Sequence, residues 1–404
     1  MEAATALPFA ADGADVCAPA LAAAPAPVVR ERPLGEIDDV SIAEWQALAG
    51  EAAETNAFAE PWFMLPGLAQ FGGDDVRLCE VRSGKTLLGL IPLCPGRRYG
   101  RTPVRHVANW THANSFLGTP LVRRGREREF WTALLRHLDT ARWAANLFHL
   151  TGIVENGAVH RGLIDAARGL GRTCPTVHRT VRAALESDLP PQAYYEAAVR
   201  KKKRKELKRL QMRLAELGSV QARSLEFGED PGPWIDAFLA LERAGWKGKA
   251  GSALACEPAK ETFFREALAG AAAAGRLDML RLDLDGRPIA MLVNFLTPPG
   301  SFSFKIAFDE DYARFSPGVL IQLENLHILA RPDIAWMDSC AAEDHPMIDS
   351  IWRERRAVVR VTVRLAGWKS GLVYRCCRAL EMASKRRWMV VKAAAAVVAL
   401  EELA

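Results

Sequence analysis

The chain has 404 residues, half of them apolar and 25% charged, and its 53 Lys and Arg against 48 Asp and Glu leave a net charge of only +5. These proportions exclude wholesale disorder, a small scaffold and a uniformly cationic nucleic-acid binder, and the length predicts two or three domains at roughly 150 residues each. The eight cysteines are scattered, with no CxxC pair and no His at zinc-ligand spacing, which predicts reduced thiols in a cytosolic protein without a bound metal. No Lys or Arg precedes Arg30, so residues 1–33 read as a disordered Ala/Pro-rich leader rather than a secretory signal. No uncharged apolar run approaches the roughly 18 residues of a membrane span. The segment Met389 to Leu400 is too short and contains Lys392.

In chain order, Ile42 to Phe58 is amphipathic, and Val76 to Val81 and Thr86 to Leu93 are strands around the turn Ser83-Gly84. Glu129 to Arg142 predicts a helix, Leu147 to Thr151 a buried strand, Gly157 to Gly169 a helix and Val177 to Leu185 a strand. After the break at Pro190-Pro191, one helix is expected from Pro191 to Leu217, because Leu207, Leu210, Leu214 and Leu217 recur on one face. Helices follow at Trp234 to Ala244 and Ala259 to Ala274. Leu277 to Leu284 and Pro288 to Leu296 form a hairpin about Asp285-Gly286, a strong two-residue turn signal. Ser301 to Phe308 is a third strand, Ser316 caps a helix with Pro317 at its first position, and strands end the pattern at Ile334 to Asp338 and Val358 to Leu365.

Two segments carry chemistry. A helix N-terminus delivered directly after a strand leaves free backbone N–H groups for an anion; here it is approached through Arg314, Phe315, Ser316, Pro317 and Gly318. The alternative is a well-capped helix that binds nothing. The second segment runs Asp338-Ser339-Cys340-Ala341-Ala342-Glu343-Asp344-His345, dense in titratable groups after a strand. His345, Glu343 or Asp338 offers a base for an ammonium proton, and Cys340 a less favoured covalent carrier. The alternative is a polar surface loop.

The run Phe304 to Glu310 followed by Arg314 to Gly318 resembles the GNAT acyltransferase superfamily, and more narrowly the double-lobed branch of CelD-type polysaccharide-biosynthesis acyltransferases and FemAB aminoacyl transferases. The resemblance covers about Leu34 to Leu365. It implies an α/β fold of mixed sheet: two tandem lobes, each a mainly antiparallel sheet flanked by helices, at 34–188 (supporting) and 189–366 (catalytic), followed by a basic amphipathic tail at 367–404. It implies acyl-CoA as co-substrate, held by Arg314, Ser316, Pro317, Gly318 and Val319, with the strand at Lys305, Ala307 and Phe308 presenting backbone N–H groups to the thioester. Glu242, Trp246 and Lys247 lie where GNAT folds build the acceptor pocket; Trp246 reads equally as a core aromatic. The sequence departs from the family in lacking the Tyr expected after the central helix and the Tyr-Lys pair of the CelD and FemAB relatives.

Nine Lys and Arg stand between Arg200 and Arg213 against one acid, and twelve between Arg353 and Lys392 against two. The first block reads as a solvated helix face. The second, with Trp368, Leu372, Leu380 and Trp388 among its cations, suits contact with the inner surface of a membrane. The leading expectation is direct acyl transfer to an amine of an envelope component, an amino sugar or a sphingoid-type amine as in ceramide synthesis. The alternatives are an aminoacyl-tRNA donor and a GNAT-fold binding module without turnover, with nucleic acid the less favoured partner.

Overall fold

The computed structural model describes residues 25–383. Thirteen strands form one mixed sheet: β1 Val28–Arg32, β2 Arg77–Ser83, β3 Thr86–Gly96, β4 His106–Asn109, β5 Leu121–Val122, β6 Leu147–Val154, β7 Thr176–Leu185, β8 Val220–Ser224, β9 Leu277–Leu284, β10 Arg287–Thr297, β11 Gly300–Phe308, β12 Trp336–Asp338 and β13 Glu354–Arg364. Their order is β1-β2-β3-β4-β6-β13-β7-β12-β11-β10-β9-β8, with β5 paired to β3. The helices are α1 Asp39–Glu51, α2 Pro61–Phe71, α3 Glu127–Thr140, α4 Ala158–Gly169, α5 Pro191–Ala198, α6 Lys201–Ala215, α7 Gly232–Ala244, α8 Trp246–Lys249, α9 Pro258–Ala273 and α10 Pro317–Glu324.

The two lobes share this sheet, and the chain crosses between them. Residues 28–32, expected in the leader, form β1 against β2. β13, expected in the second lobe, inserts between β6 and β7 of the first. β7 in turn joins β12, antiparallel, at Met337 and Asp338. Helices cover both faces. α3 and α4 bury Trp131, Leu134 and Leu163 against one face of the first lobe, and α6 and α10 bury Leu207, Leu210, Leu320 and Ile321 against one face of the second. An aromatic core joins the lobes: Phe58, Trp62 and Phe63 pack with Phe295, Phe302 and Phe304. At roughly 25 cal/mol per Å² of apolar area, rings of this size contribute heavily to lobe docking.

Two segments differ locally from the sequence reading, and one turn agrees with it. The expected helix from Pro191 to Leu217 is broken at Val199, because α5 docks on the core around Trp352 while α6 docks on the sheet around Leu282. Arg204 Nη1 then donates to Val199 O at 2.7 Å, satisfying a carbonyl at the break. The amphipathic segment Ile42 to Phe58 is α-helical only as far as Glu51, and a further helix, α2, follows with Pro61 at its start and Pro66 inside it. The Asp285-Gly286 turn is as expected: both residues have positive φ, 51° and 78°, between Leu284 and Arg287.

Candidate active site

β11 organises the site. It pairs with β10 along its length but with β12 for only three residues, Gly300 to Phe302 against Trp336 to Asp338. Beyond Phe302 the two strands part, so one backbone edge of β11 from Ser303 to Phe308 has no strand partner among the described residues. Such an edge offers N–H and C=O groups to an extended ligand.

A β-bulge decides what faces the gap. Val293 pairs with Lys305 but Asn294 with Ser303, so Phe304 is an extra residue on β11. A bulge shifts side-chain parity. Phe302 and Phe304 face the aromatic core, whereas Ile306 and Phe308 face the opposite cluster and Ala307 returns to the first. Lys305 is thereby carried to the side of Phe304 and Phe116, with Nζ 5.2 Å and 5.9 Å from their rings. Burial, then the Lys247 charge, lowers the Lys305 ammonium to about 8. The backbone reading of β11 thus omitted its most distinctive side chain.

The helix N-terminus differs from expectation. Ser316 does not cap through its side chain; it stands at φ 55°, ψ 51°, the left-handed region, at the end of the short turn Glu310–Phe315. Its carbonyl accepts from Val319 N at 2.9 Å and Leu320 N at 3.1 Å, and Pro317 has no N–H, so Gly318 supplies the free amide of this turn. A Cβ on Gly318 would stand 3.2 Å from both Met347 Sδ and Phe308 Cδ1. The loop that follows Asp338 therefore folds over this terminus, which is a narrower cradle than the sequence suggested. Arg314 is exposed, its guanidinium 4.8 Å from the Phe315 ring, and α6 packs nearby through Leu207 and Leu210, which share one core with Phe315 and Leu320.

The second segment separates into distinct environments. Asp338 is fully buried with Arg182 Nη2 2.7 Å from its Oδ2 and Arg356 Nε 3.6 Å away. It is an ion-pair anchor, not a free base. Cys340 is buried at φ 53°, and burial followed by the Asp338 charge raises its thiol well above the usual range, which keeps it protonated and unsuited to carrying an acyl group. Glu343 is exposed and accepts from Val181 N at 3.2 Å. His345 is half-buried, and its Nδ1 has no hydrogen-bond partner among the described residues.

Glu242, Trp246, Lys247, Ala307 and Phe308 do come together, lining one small groove between α7, α8 and β11. Glu242, however, is already engaged: it is buried, its charge is paired with Lys247 Nζ at 2.7 Å, and it accepts from Leu254 N at 2.8 Å, so it is not an unpaired carboxylate awaiting a cationic amine. Trp246 is 59% exposed and is no core aromatic; its backbone N–H donates to Glu310 Oε1. The first lobe adds residues that sequence reading missed. Phe116 O accepts from Arg182 Nη1 at 2.8 Å. His112 packs among Phe63, Phe71, Trp110 and Phe263 with both ring nitrogens unpartnered, and burial, then the Lys305 charge, lowers it to about 4. No periodicity or motif marks these positions; only the docking of the lobes gathers them. Among the described residues no group of three or more His, Cys, Asp or Glu is placed to hold a metal.

Comparison with known proteins agrees with this geometry. Residues 201–346 match the acetyltransferase (GNAT) domain family. The crystal structure of FemX superposes with a TM-score of 0.54 at 9% identity, covering 83% of this chain and 98% of that one. A conserved protein of unknown function from Bacteroides thetaiotaomicron superposes at 0.53 with 10% identity, covering 81% and 99%. No curated protein sequence matches. With its parted central strands, its helix entered through Pro317-Gly318 and its two joined lobes, the chain has a double-lobed GNAT-like fold, in which residues 201–346 match the GNAT domain family.

Proposed function

We propose that the protein is an N-acyltransferase that takes an acyl group from a coenzyme A thioester and passes it directly to an amine. The observation that carries this is the parting of β11 from β12 together with Lys305, which the bulge carries to the side of Phe304 and Phe116. An extended pantetheine amide chain would lie along the free edge of β11, with its phosphates toward Gly318 N–H, Arg314 and α6. The amine nitrogen would attack the thioester carbonyl. Negative charge would then develop on the oxygen, met by backbone N–H groups of β11 and the Lys305 ammonium, before the C–S bond breaks and the thiolate takes a proton. His345, with its unpaired Nδ1, is the base we assign to the amine, directly or through water, and Glu343 lies at the same rim. Mixing the full chain with acetyl-CoA and longer acyl-CoA donors and a panel of amines should release free thiol. Absence of both donor binding and thiol release across the panel overturns the reading.

A second reading keeps the site and changes the donor to aminoacyl-tRNA. The superposition on FemX and the exposed cations of α6, among them Lys201, Lys202, Lys205, Lys208 and Arg209, favour it. A tRNA complex that weakens steeply with salt would support this donor, and indifference to tRNA would discard it.

For the acceptor's location we propose an envelope component met at a membrane surface. No helix among the described residues is long and apolar enough to cross a membrane. Residues 368–383 are helical, docked through Val373, Tyr374 and Cys377 against Tyr99 and Leu147. This leaves Trp368, Leu372, Leu380 and Met382 exposed beside Lys369 and Arg375. That pairing of apolar and cationic side chains fits an anionic lipid headgroup layer. The remainder of the expected tail, including Trp388, lies outside the described residues.

A further inference from the structure

The face of the first-lobe sheet that looks toward the second lobe carries more positive charge than it neutralises. In the β7–β13 pairing Arg182 stands opposite Arg356, Thr180 opposite Val358 and His178 opposite Arg360. Direct cross-strand neighbours point to the same face, and like charges so placed oppose sheet formation. Three arginines and a histidine thus share one stripe.

The carboxylates around it do not balance it. Asp338 is engaged by Arg182 and Arg356. Glu54, near Arg356, is pushed toward its neutral form by burial and already accepts from Val159 N. Glu343 sits on the backbone of Val181 at the rim, and Glu155 pairs with Arg179. Arg356 Nε is buried without a hydrogen-bond partner, and Arg360 has no carboxylate within ion-pair distance among the described residues. Over this stripe lies a cleft of about 260 Å³ whose walls include Phe116, Thr151, His178, Thr180, Arg182 and Arg360. Guanidinium, imidazole and hydroxyl groups are donors suited to an oxyanion.

We infer that this cleft is the acceptor subsite and that the acceptor carries an oxyanion, a phosphate or a carboxylate, which Arg360 and His178 bind. The inference rests on the acyltransferase reading and places the acceptor in the first lobe, away from Glu242. Phe116 connects the two regions: its carbonyl takes Arg182 and its ring stands 5.9 Å from Lys305 Nζ. An acceptor anchored by its oxyanion over β7 and β13 therefore presents its amine past Phe116 to the thioester. The guanidinium, imidazole and hydroxyl groups in its walls suit a phosphorylated or carboxylated group rather than a bare hydrocarbon chain.

Calorimetry on the full chain tests this, with inorganic phosphate and acetate as separate probes, each titrated with and without saturating coenzyme A. One saturable anion site is expected with coenzyme A already bound. Phosphate saturation identifies a phosphoryl group and acetate saturation a carboxylate. Arg360→Gln and His178→Gln should each weaken that binding about tenfold or more, while Arg168→Gln, which removes a distant exposed cation, leaves it unchanged. No saturable binding of either probe, or binding that survives both substitutions, overturns the inference. Failure of coenzyme A to bind would instead overturn the donor reading and leave the anion titration interpretable.

Discussion

Arg182 and Asp338, 156 residues apart, close the seam between the lobes: Nη2 lies 2.7 Å from Oδ2 where β7 meets β12. Both are buried, and Arg356 shares the same carboxylate. Removing the charge leaves two guanidinium groups without their counterion in a desolvated place. Asp338→Asn is expected to cost about 3–5 kcal/mol, read as a lower denaturation midpoint in urea, because breaking a buried pair strands its partner. A change below about 1 kcal/mol would show that solvent reaches the seam.

Lys305→Met should leave folding intact and lower kcat by about 10²- to 10³-fold, the range for losing one group that meets developing negative charge. The pH profile separates a catalytic from a packing role. The ammonium is lowered to about 8 by burial, so it is protonated below that pH and lost above it. The acceptor amine needs the opposite trend, which gives a bell. The alkaline limb near pH 8 should disappear in Lys305→Met; persistence of that limb assigns it elsewhere.

Gly318→Ala tests the donor cradle. Its new Cβ would meet Met347 Sδ and Phe308 Cδ1 at 3.2 Å, and a flexible methionine can yield, so stability should change by less than about 1 kcal/mol. Access to the Gly318 amide would narrow. KM for the acyl donor should rise with kcat nearly unchanged, the signature of lost uniform binding.

His345→Gln should reduce kcat by about 10²-fold, and the loss should shrink when the acceptor is assayed at a pH where its amine is already neutral. A constant deficit at every pH would mean that His345 positions the loop rather than moves a proton.

Trp368→Ser with Leu372→Ser should release the chain from vesicles containing anionic phosphatidylglycerol, as measured by co-sedimentation, without altering transfer to a soluble amine. Both side chains are exposed, and little packing is lost. Equal sedimentation of wild type and variant would remove the membrane from the account.

Much of this architecture was legible in the sequence, where a few neighbouring residues carry the signal. The Asp285-Gly286 turn, the leucine stripe of α6 and the Pro317 start of α10 are specified by conformational preference and periodicity within one or two turns of chain. The residues of the two chemical segments were likewise visible, but their roles were not, since Asp338 is neutralised by Arg182, 156 residues away in the chain. Tertiary structure alone decided that β13 threads the first lobe, that a bulge at Phe304 turns Lys305 inward, and that Arg182, Arg356 and Arg360 share a face. Side-chain parity after a bulge and the pairing of strands distant in sequence depend on long-range register, which no local pattern of residues encodes.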